Sequence, residues 1–201
     1  MFVAHPERSD ASDRVYRATE QSMGFVMNLA GVWAWRPDVF EAFAALRAKL
    51  TSASTLSKRD QGILVCAMAS QLGDSYCSLA WGKTLAAEAG APASAAVIGG
   101  TETSELTARD CALAAWARKV VQDPNGTTKE DVEGLRAAGL REKEIFEVTA
   151  FVAFRLAFST VNDALGAEPD WQLVDAAPQE VVAAVGYGRA AGARPEGRLD
   201  D

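Results

Sequence analysis

Histidine is nearly absent from this sequence, which has a single one, His5, among 201 residues. Histidine is the usual general base of enzymes and a common metal ligand. A Ser-His-Asp triad, a Cys-His pair or a multi-histidine metal site would have to recruit His5 from the polar N-terminal segment, or a side chain from a second subunit. We therefore expect no metal site and no bound cofactor.

Cysteine is also scarce: Cys66, Cys77 and Cys111 lie 11 and 34 positions apart. The odd number and the wide spacing favour neither a disulfide framework nor a set of zinc ligands. Free thiols are typical of the reducing cytoplasm. The N-terminus lacks the basic stretch followed by an apolar stretch that marks a signal peptide. We therefore expect a cytoplasmic protein.

Long apolar runs and an excess of positive charge are missing as well. The longest apolar run, Val26 to Trp35, covers about ten residues, whereas a membrane-spanning helix needs about twenty. The 27 acidic residues outnumber the 20 basic ones, which gives a net charge of −7. Binding to nucleic acid depends on clustered basic residues. The sequence predicts neither a membrane nor a nucleic acid among the partners.

Apolar residues recur at helical spacing along most of the chain, and sustained strand-like alternation is absent. The sequence therefore predicts an all-α protein, and its length fits one domain. Proline, glycine and capping residues mark the helix ends. The predicted helices cover residues 12–22, 25–35, 38–50, 57–72, 74–89, 107–122, 128–138 and 141–165, and a flexible terminus is expected over 186–201.

Two segments fifty residues apart resemble each other: residues 56–60 read LSKRD, and residues 106–110 read LTARD. In each, a Ser or Thr can cap a helix, and an Asp follows three residues later in the capping-box position. Convergent capping chemistry and an internal duplication both explain this similarity. Either explanation predicts that a helix begins at each segment.

The segment GDSYC, residues 73–77, joins two predicted helices and is the best candidate for a reactive site. If Asp74 caps the second helix, Cys77 falls in its first turn, where the helix dipole favours a thiolate. The negative charge of Asp74 acts the other way and opposes ionisation of the thiol. Cys66 and Cys111 lie within apolar helical patterns and are predicted to be core thiols.

These segments resemble the carboxymuconolactone decarboxylase/alkylhydroperoxidase D-like family, most closely its longer peroxidase-related branch. The later segments LTARDCALAAWARKVVQDP, VEGLRAAGLREKEIFEV and DALGAEPD carry the same resemblance. It covers residues 25–171, which leaves 1–24 as an N-terminal arm and helix and 172–201 as a C-terminal tail. The resemblance implies an all-α, AhpD-like helical fold with an internal helical repeat, assembled as a homodimer, trimer or hexamer.

Active peroxidases of this family carry a Glu, a Cys-x-x-Cys pair and a His. At the matching positions this sequence has Gly62, Asp74, Cys77 and Trp81, so that only the second cysteine is kept. The resemblance thus implies a peroxidase-related, antioxidant-type oxidoreductase with a degenerate site and weak or absent two-cysteine peroxidase activity. No resolving cysteine stands at position 74, so a sulfenic acid on Cys77 would need an external thiol as reductant. The alternative resolver is Cys66, eleven residues upstream, which would have to leave a core helix.

Further pocket candidates are Gly62, Tyr76, Trp81 and Arg155. Trp81 indicates either a filled, silent pocket or one reshaped for an apolar or aromatic ligand. Arg155 lies in the apolar stretch 151–158. If it is buried it needs a carboxylate or a ligand anion as partner; otherwise its stem packs and its charge reaches solvent. Asp74 is either a proton relay or only a helix cap.

Three functions stay open at this stage. The first is thiol chemistry on a small hydroperoxide at Cys77. The second is a lactone decarboxylase or isomerase-type enzyme, in which Arg155 is the one candidate for a cationic contact with a carboxylated lactone. The third is a non-catalytic helical oligomer that binds a small apolar ligand.

Overall fold

The computed structural model describes residues 1–194, and this part of the chain is α-helical with no β-strand, as the sequence predicts. None of its helices combines the length and the apolar character needed to cross a bilayer. The described residues form eleven α-helices and one 3-10 turn, Pro124–Gly126: α1 (Asp10–Met23), α2 (Ala30–Trp33), α3 (Pro37–Ser52), α4 (Lys58–Leu72), α5 (Ser75–Ala89), α6 (Ala91–Gly99), α7 (Ala108–Gln122), α8 (Lys129–Ala137), α9 (Glu142–Ala164), α10 (Trp171–Ala176) and α11 (Gln179–Ala184).

The two similar segments begin helices α4 and α7, as predicted. Ser57 caps α4, and its hydroxyl accepts a hydrogen bond from the Asp60 backbone N–H. The Asp60 carboxylate accepts one in return from the Ser57 backbone N–H. Thr107 and Asp110 form the same reciprocal capping box at α7. Both boxes satisfy backbone donors that the first helical turn leaves without partners.

The same two helix starts also exchange ion pairs. The Arg59 guanidinium, at the start of α4, contacts the Asp110 carboxylate of α7 at 2.7 Å. The Arg109 guanidinium, at the start of α7, contacts the Asp60 carboxylate of α4 at 3.1 Å. Each carboxylate therefore caps its own helix and binds the arginine of the other. This reciprocity favours internal duplication over convergent capping.

Helix α4 lies at the centre of the core. Every residue from Asp60 to Ala69 is buried, and the helix packs against α5, α6, α7 and α9. A second apolar cluster joins α1, α2 and α3 to α5 and to Phe158 of α9. The N-terminal helices are thereby packed beside the first turn of α5, where Cys77 lies.

The N-terminal region differs from the prediction. Helix α1 begins after Ser9, which forms a capping box with Ser12, so the predicted cap at Ser12 and Asp13 is wrong. The predicted helix over 25–35 shrinks to the four residues of α2. The backbone before α2 makes a tertiary hydrogen bond instead of a helical one. The Asn28 N–H donates to the Asp170 carboxylate at 2.9 Å.

Helix α6 has no counterpart among the predicted helices. It consists mostly of small residues, and their uniform size hides the amphipathic pattern that identifies a helix in a sequence. Its place is set by close packing on α5. The Ser94 hydroxyl donates to the Gly82 carbonyl at 2.9 Å, and a Cβ on Gly82 would lie 2.9 Å from Ile98 Cδ1.

The structure corrects two further expectations, one by the exposure of a thiol and one by hydrogen bonds of the C-terminal region. Cys111 is exposed on α7, whereas Cys66 is a fully buried core thiol as predicted. The expected flexible terminus is wrong for its first residues, because the Tyr187 and Ser78 hydroxyls are 2.8 Å apart and Ser75 Oγ donates to the Arg189 carbonyl. Residues 195–201 of that expected terminus lie outside the described part of the chain.

Replacing Arg59 with Met should lower the free energy of unfolding by about 1–3 kcal/mol, because it leaves the buried Asp110 carboxylate without its charged partner. Urea denaturation monitored by circular dichroism measures the change. Arg36→Met is the matched control, since Arg36 pairs with Asp38 at a fully exposed site, and its free energy of unfolding should change much less. Equal losses in both variants would contradict a structural role for the exchanged ion pairs.

Candidate active site

The junction between α4 and α5 places a thiol in the first turn of α5. Gly73 ends α4 in the left-handed conformation, with φ of +77°, which a side chain would disfavour. Asp74 is the N-cap of α5, and its carboxylate accepts a hydrogen bond from the Cys77 backbone N–H at 2.8 Å. Cys77 therefore occupies the helical position that the sequence predicts for it.

Cys77 lines a cavity of about 560 Å³ that α1, α3, α5 and α9 enclose together. This volume is in the range of small-molecule binding sites. The lining is mostly apolar and aromatic, with a few polar and basic side chains: Ala18, Thr19, Ser22, Met23, Met27, Leu29, Phe40, Ala44, Arg47, Lys58, Tyr76, Cys77, Ala80, Trp81, Thr84, Arg155 and Phe158.

Arg155 is buried in this lining, with 5% of its surface exposed. Its Nη2 is 3.8 Å from Cys77 Sγ, and its guanidinium lies 5.0 Å from the centroid of the Trp81 ring. Its Nε has no hydrogen-bond partner, and it forms no salt bridge with any residue of the described chain. Of the two sequence-based interpretations of Arg155, the structure supports the buried charge that lacks a protein counter-ion.

Arg47, from α3, brings a second guanidinium group to the same cavity. It lies 5.1 Å from the centroid of Phe158, a ring that the Arg155 guanidinium also faces, at 5.7 Å. Burial, and after it repulsion from Arg155, lowers the pKa of Arg47 to about 10. Its buried Nε also lacks a partner in the described residues. No sequence motif marks Arg47 as a site residue, because only folding brings α3 beside α9.

The thiol of Cys77 is subject to opposing electrostatic influences. Burial raises its pKa above the ordinary value, and the negative charge of Asp74 raises it further. The positive charge of Arg155 lowers the pKa, as does the hydrogen bond with Ser159, whose Oγ is 3.2 Å from Sγ. Burial is the largest of these influences, so the neutral thiol is the resting form.

Of the other predicted site residues, some lie in the cavity lining and some outside it. Tyr76 and Trp81 line the cavity, and Trp81 forms one wall of an open space rather than filling it. The Tyr76 hydroxyl donates to the Asp170 carboxylate. Gly62 lies outside the lining, on the face of α4 that meets α5, where a Cβ would be 3.1 Å from Leu85. His5 packs against Gly31 and is not among the lining residues either.

No cluster of His, Cys, Asp or Glu within the described residues could hold a metal ion. The lining contributes one thiol, since neither Cys66 nor Cys111 belongs to it. The features together define a class of protein: a helical scaffold with paired, similar helix starts that presents one buried thiol, the buried Arg155 guanidinium and the partly buried Arg47 guanidinium to a small-molecule cavity.

Solved structures with the same architecture place this scaffold among AhpD-like folds. One is the AhpD core of an alkylhydroperoxidase, a peroxidase-related protein from Ralstonia eutropha JMP134, with a TM-score of 0.76 and 24% identity over 86% of this chain and 93% of that one. Another is a peroxidase-related protein from Silicibacter sp. TM1040, with a TM-score of 0.74 and 18% identity over 86% of this chain and 93% of that one.

A third similar structure is the debrominase Bmp8, solved as a cysteine-to-alanine variant in complex with 2,3,4-tribromopyrrole. Its TM-score is 0.71, with 19% identity over 88% of this chain and 95% of that one. No protein-family model matches the sequence, and no curated protein matches it. The structural similarity confirms the AhpD-like fold that the sequence motifs predict.

Asp74→Asn should lower the pKa of the Cys77 thiol, because Asn keeps the capping acceptor but removes the negative charge. Arg155→Met should raise that pKa, because it removes the neighbouring positive charge. The pH dependence of alkylation by iodoacetamide, measured in a Cys111→Ser background, gives both values. Shifts in the same direction, or no shift in Asp74→Asn, would show that these two charges do not control the thiol.

Proposed function

We propose that this chain is a peroxidase-related, thiol-dependent oxidoreductase that works with one cysteine, Cys77, on a small molecule held in the cavity. The observation that carries the proposal is the position of Cys77 Sγ in the cavity lining, 3.8 Å from the unpaired Arg155 guanidinium. A core thiol with no function would not require a buried cation beside it. The two-cysteine route has no second thiol in the lining, so we expect it to be absent.

With a hydroperoxide as substrate, the Cys77 thiolate attacks one oxygen and the O–O bond breaks. The products are a sulfenic acid on Cys77 and an alkoxide, which leaves as the alcohol once it takes up a proton. Two molecules of an external thiol then reduce the sulfenic acid, which yields one disulfide and one water and restores the Cys77 thiol. The Arg155 N–H groups lie where they can stabilise both the thiolate and the departing oxygen.

The proton of the resting thiol needs an acceptor, and histidine does not supply one here. Asp74 is our candidate, because it is the carboxylate whose charge acts on Cys77, and its buried Oδ2 has no hydrogen-bond partner in the described residues. The negative charge of Asp74 also raises the pKa of the Cys77 thiol, which keeps the thiolate scarce at neutral pH. Turnover with hydroperoxides is therefore expected to be slow.

A second candidate reaction is the reductive removal of a halogen from a small aromatic ring. The debrominase of the same fold, and the brominated pyrrole held by its cysteine variant, suggest it. The aromatic walls formed here by Trp81 and Phe158 beside Cys77 would suit such a ring. The reaction converts one aryl halide and two thiols into the dehalogenated ring, one disulfide and one hydrogen halide.

Cys77→Ser should reduce the consumption of cumene hydroperoxide, with dithiothreitol as reductant, at least about tenfold and to the uncatalysed rate, because serine cannot form the sulfenic acid. Stopped assays of residual hydroperoxide measure the rate. Cys111→Ser is the matched control, and its rate should equal that of the parent because Cys111 is exposed on α7, outside the cavity lining.

Cys66→Ala tests whether the core thiol resolves the sulfenic acid. Since Cys66 is fully buried in α4 and outside the lining, its removal should leave the rate with dithiothreitol unchanged. Equal rates in the parent and in Cys77→Ser, or a parent that consumes no hydroperoxide, would contradict the proposed peroxidase chemistry. Debromination of tribromopyrrole by the parent alone would then favour the second candidate.

A further inference from the structure

The charge in the cavity is one-sided. Arg47, Lys58 and Arg155 line it, whereas none of the residues given above for the lining is an Asp or a Glu. The whole chain, in contrast, carries a net charge of −7. None of the three cations takes part in a salt bridge with the described residues. A local surplus of positive charge inside an acidic protein calls for a counter-ion.

The removal of Arg155, and of part of Arg47, from water makes this excess of positive charge energetically unfavourable. Taking a charged group out of water is unfavourable unless a partner of opposite charge and hydrogen-bond acceptors replace the water. Arg155 Nε and Arg47 Nε are both buried and have no acceptor in the described chain. The lowered pKa of Arg47 reflects the same cost.

The thiol of Cys77 does not remove this surplus. Burial and Asp74 raise its pKa, so the resting sulfur is neutral, and the guanidinium atom within contact distance of it is Arg155 Nη2. One thiolate, even when it forms, would balance one of the two guanidinium charges.

We propose that the cavity binds a small aromatic carboxylate, with its acid group held by Arg155 and Arg47 and its ring packed on the aromatic wall. Guanidinium groups suit a carboxylate because their planar N–H donors match its two oxygens. The binding of this acid is independent of the proposed function. Only its identification as the substrate on which Cys77 acts rests on that function.

The remainder of the lining suits the apolar part of such a ligand. The rings of Trp81 and Phe158 line the cavity beside the two guanidinium groups, and Met27, Leu29 and Phe40 add apolar surface. A flat ring can pack on this apolar lining while its carboxylate reaches the arginines. Lys58, which is exposed at the edge of the lining, would attract anions toward the cavity.

The test compares two probes of the same size, 2-naphthoate and 2-naphthamide, by isothermal titration calorimetry on the full chain. The carboxylate should bind at least about tenfold more tightly than the neutral amide. Arg155→Met and Arg47→Met should each weaken naphthoate binding about tenfold or more. Arg17→Met is the matched control, because Arg17 is exposed on α1 and outside the lining, and its affinity should equal that of the parent.

Folding of the variants is not expected to limit the test, because methionine removes a buried charge and keeps an unbranched stem of similar length. Arg155→Lys serves as a second variant, and it should keep part of the preference for naphthoate over naphthamide. Equal affinities for the two probes, undiminished binding of naphthoate in the methionine variants, or no naphthoate binding at millimolar concentration would each overturn the inference.

The Cys77→Ser variant separates this inference from the proposed function. It should bind naphthoate as the parent does, because both arginines remain, while it loses hydroperoxide turnover. Selective naphthoate binding in a parent that has no turnover would support the acid site and refute the thiol chemistry. Turnover without selective naphthoate binding would do the reverse.

Discussion

The ion pairs exchanged between the starts of α4 and α7 are the constraint on which the rest of the fold depends. Asp60 and Asp110 are buried carboxylates, and each is satisfied by its own helix cap and by the arginine of the other helix. Because each carboxylate serves both a helix cap and an ion pair, the starts of the two central helices are held together. The buried length of α4 then sets where Gly73 turns the chain, and hence where α5 and Cys77 begin.

The site depends on a balance between two charges of opposite sign near one sulfur. Asp74 is needed as the N-cap of α5 and raises the pKa of the Cys77 thiol, while Arg155 of α9 lowers it. Neither charge can be removed without consequence, because one supports the helix and the other faces the cavity. A ligand that neutralises Arg155 would remove the charge that lowers the pKa of the Cys77 thiol, and would thereby favour the neutral thiol over the thiolate.

Much of the fold follows from local chemistry that the sequence displays. The starts of α4, α5 and α7 and the glycine that ends α4 agree with the prediction, because capping side chains and left-handed glycines act within a few residues. The shortening of the helix predicted over 25–35 does not follow from local chemistry. There the Asp170 carboxylate, more than a hundred residues away, takes up the Asn28 N–H.

The sequence by itself determined the class of fold, the helix junction and the position of Cys77 in the first turn of α5, since each depends on neighbours in the chain. It also singled out Arg155 as an arginine within an apolar stretch, without deciding whether its charge is buried. Only the tertiary structure decided that α3 brings Arg47 to the same cavity as Arg155, and that Trp81 forms a wall beside open space. The excess of positive charge in the cavity comes from side chains on helices that are distant in sequence, so no local pattern can display it.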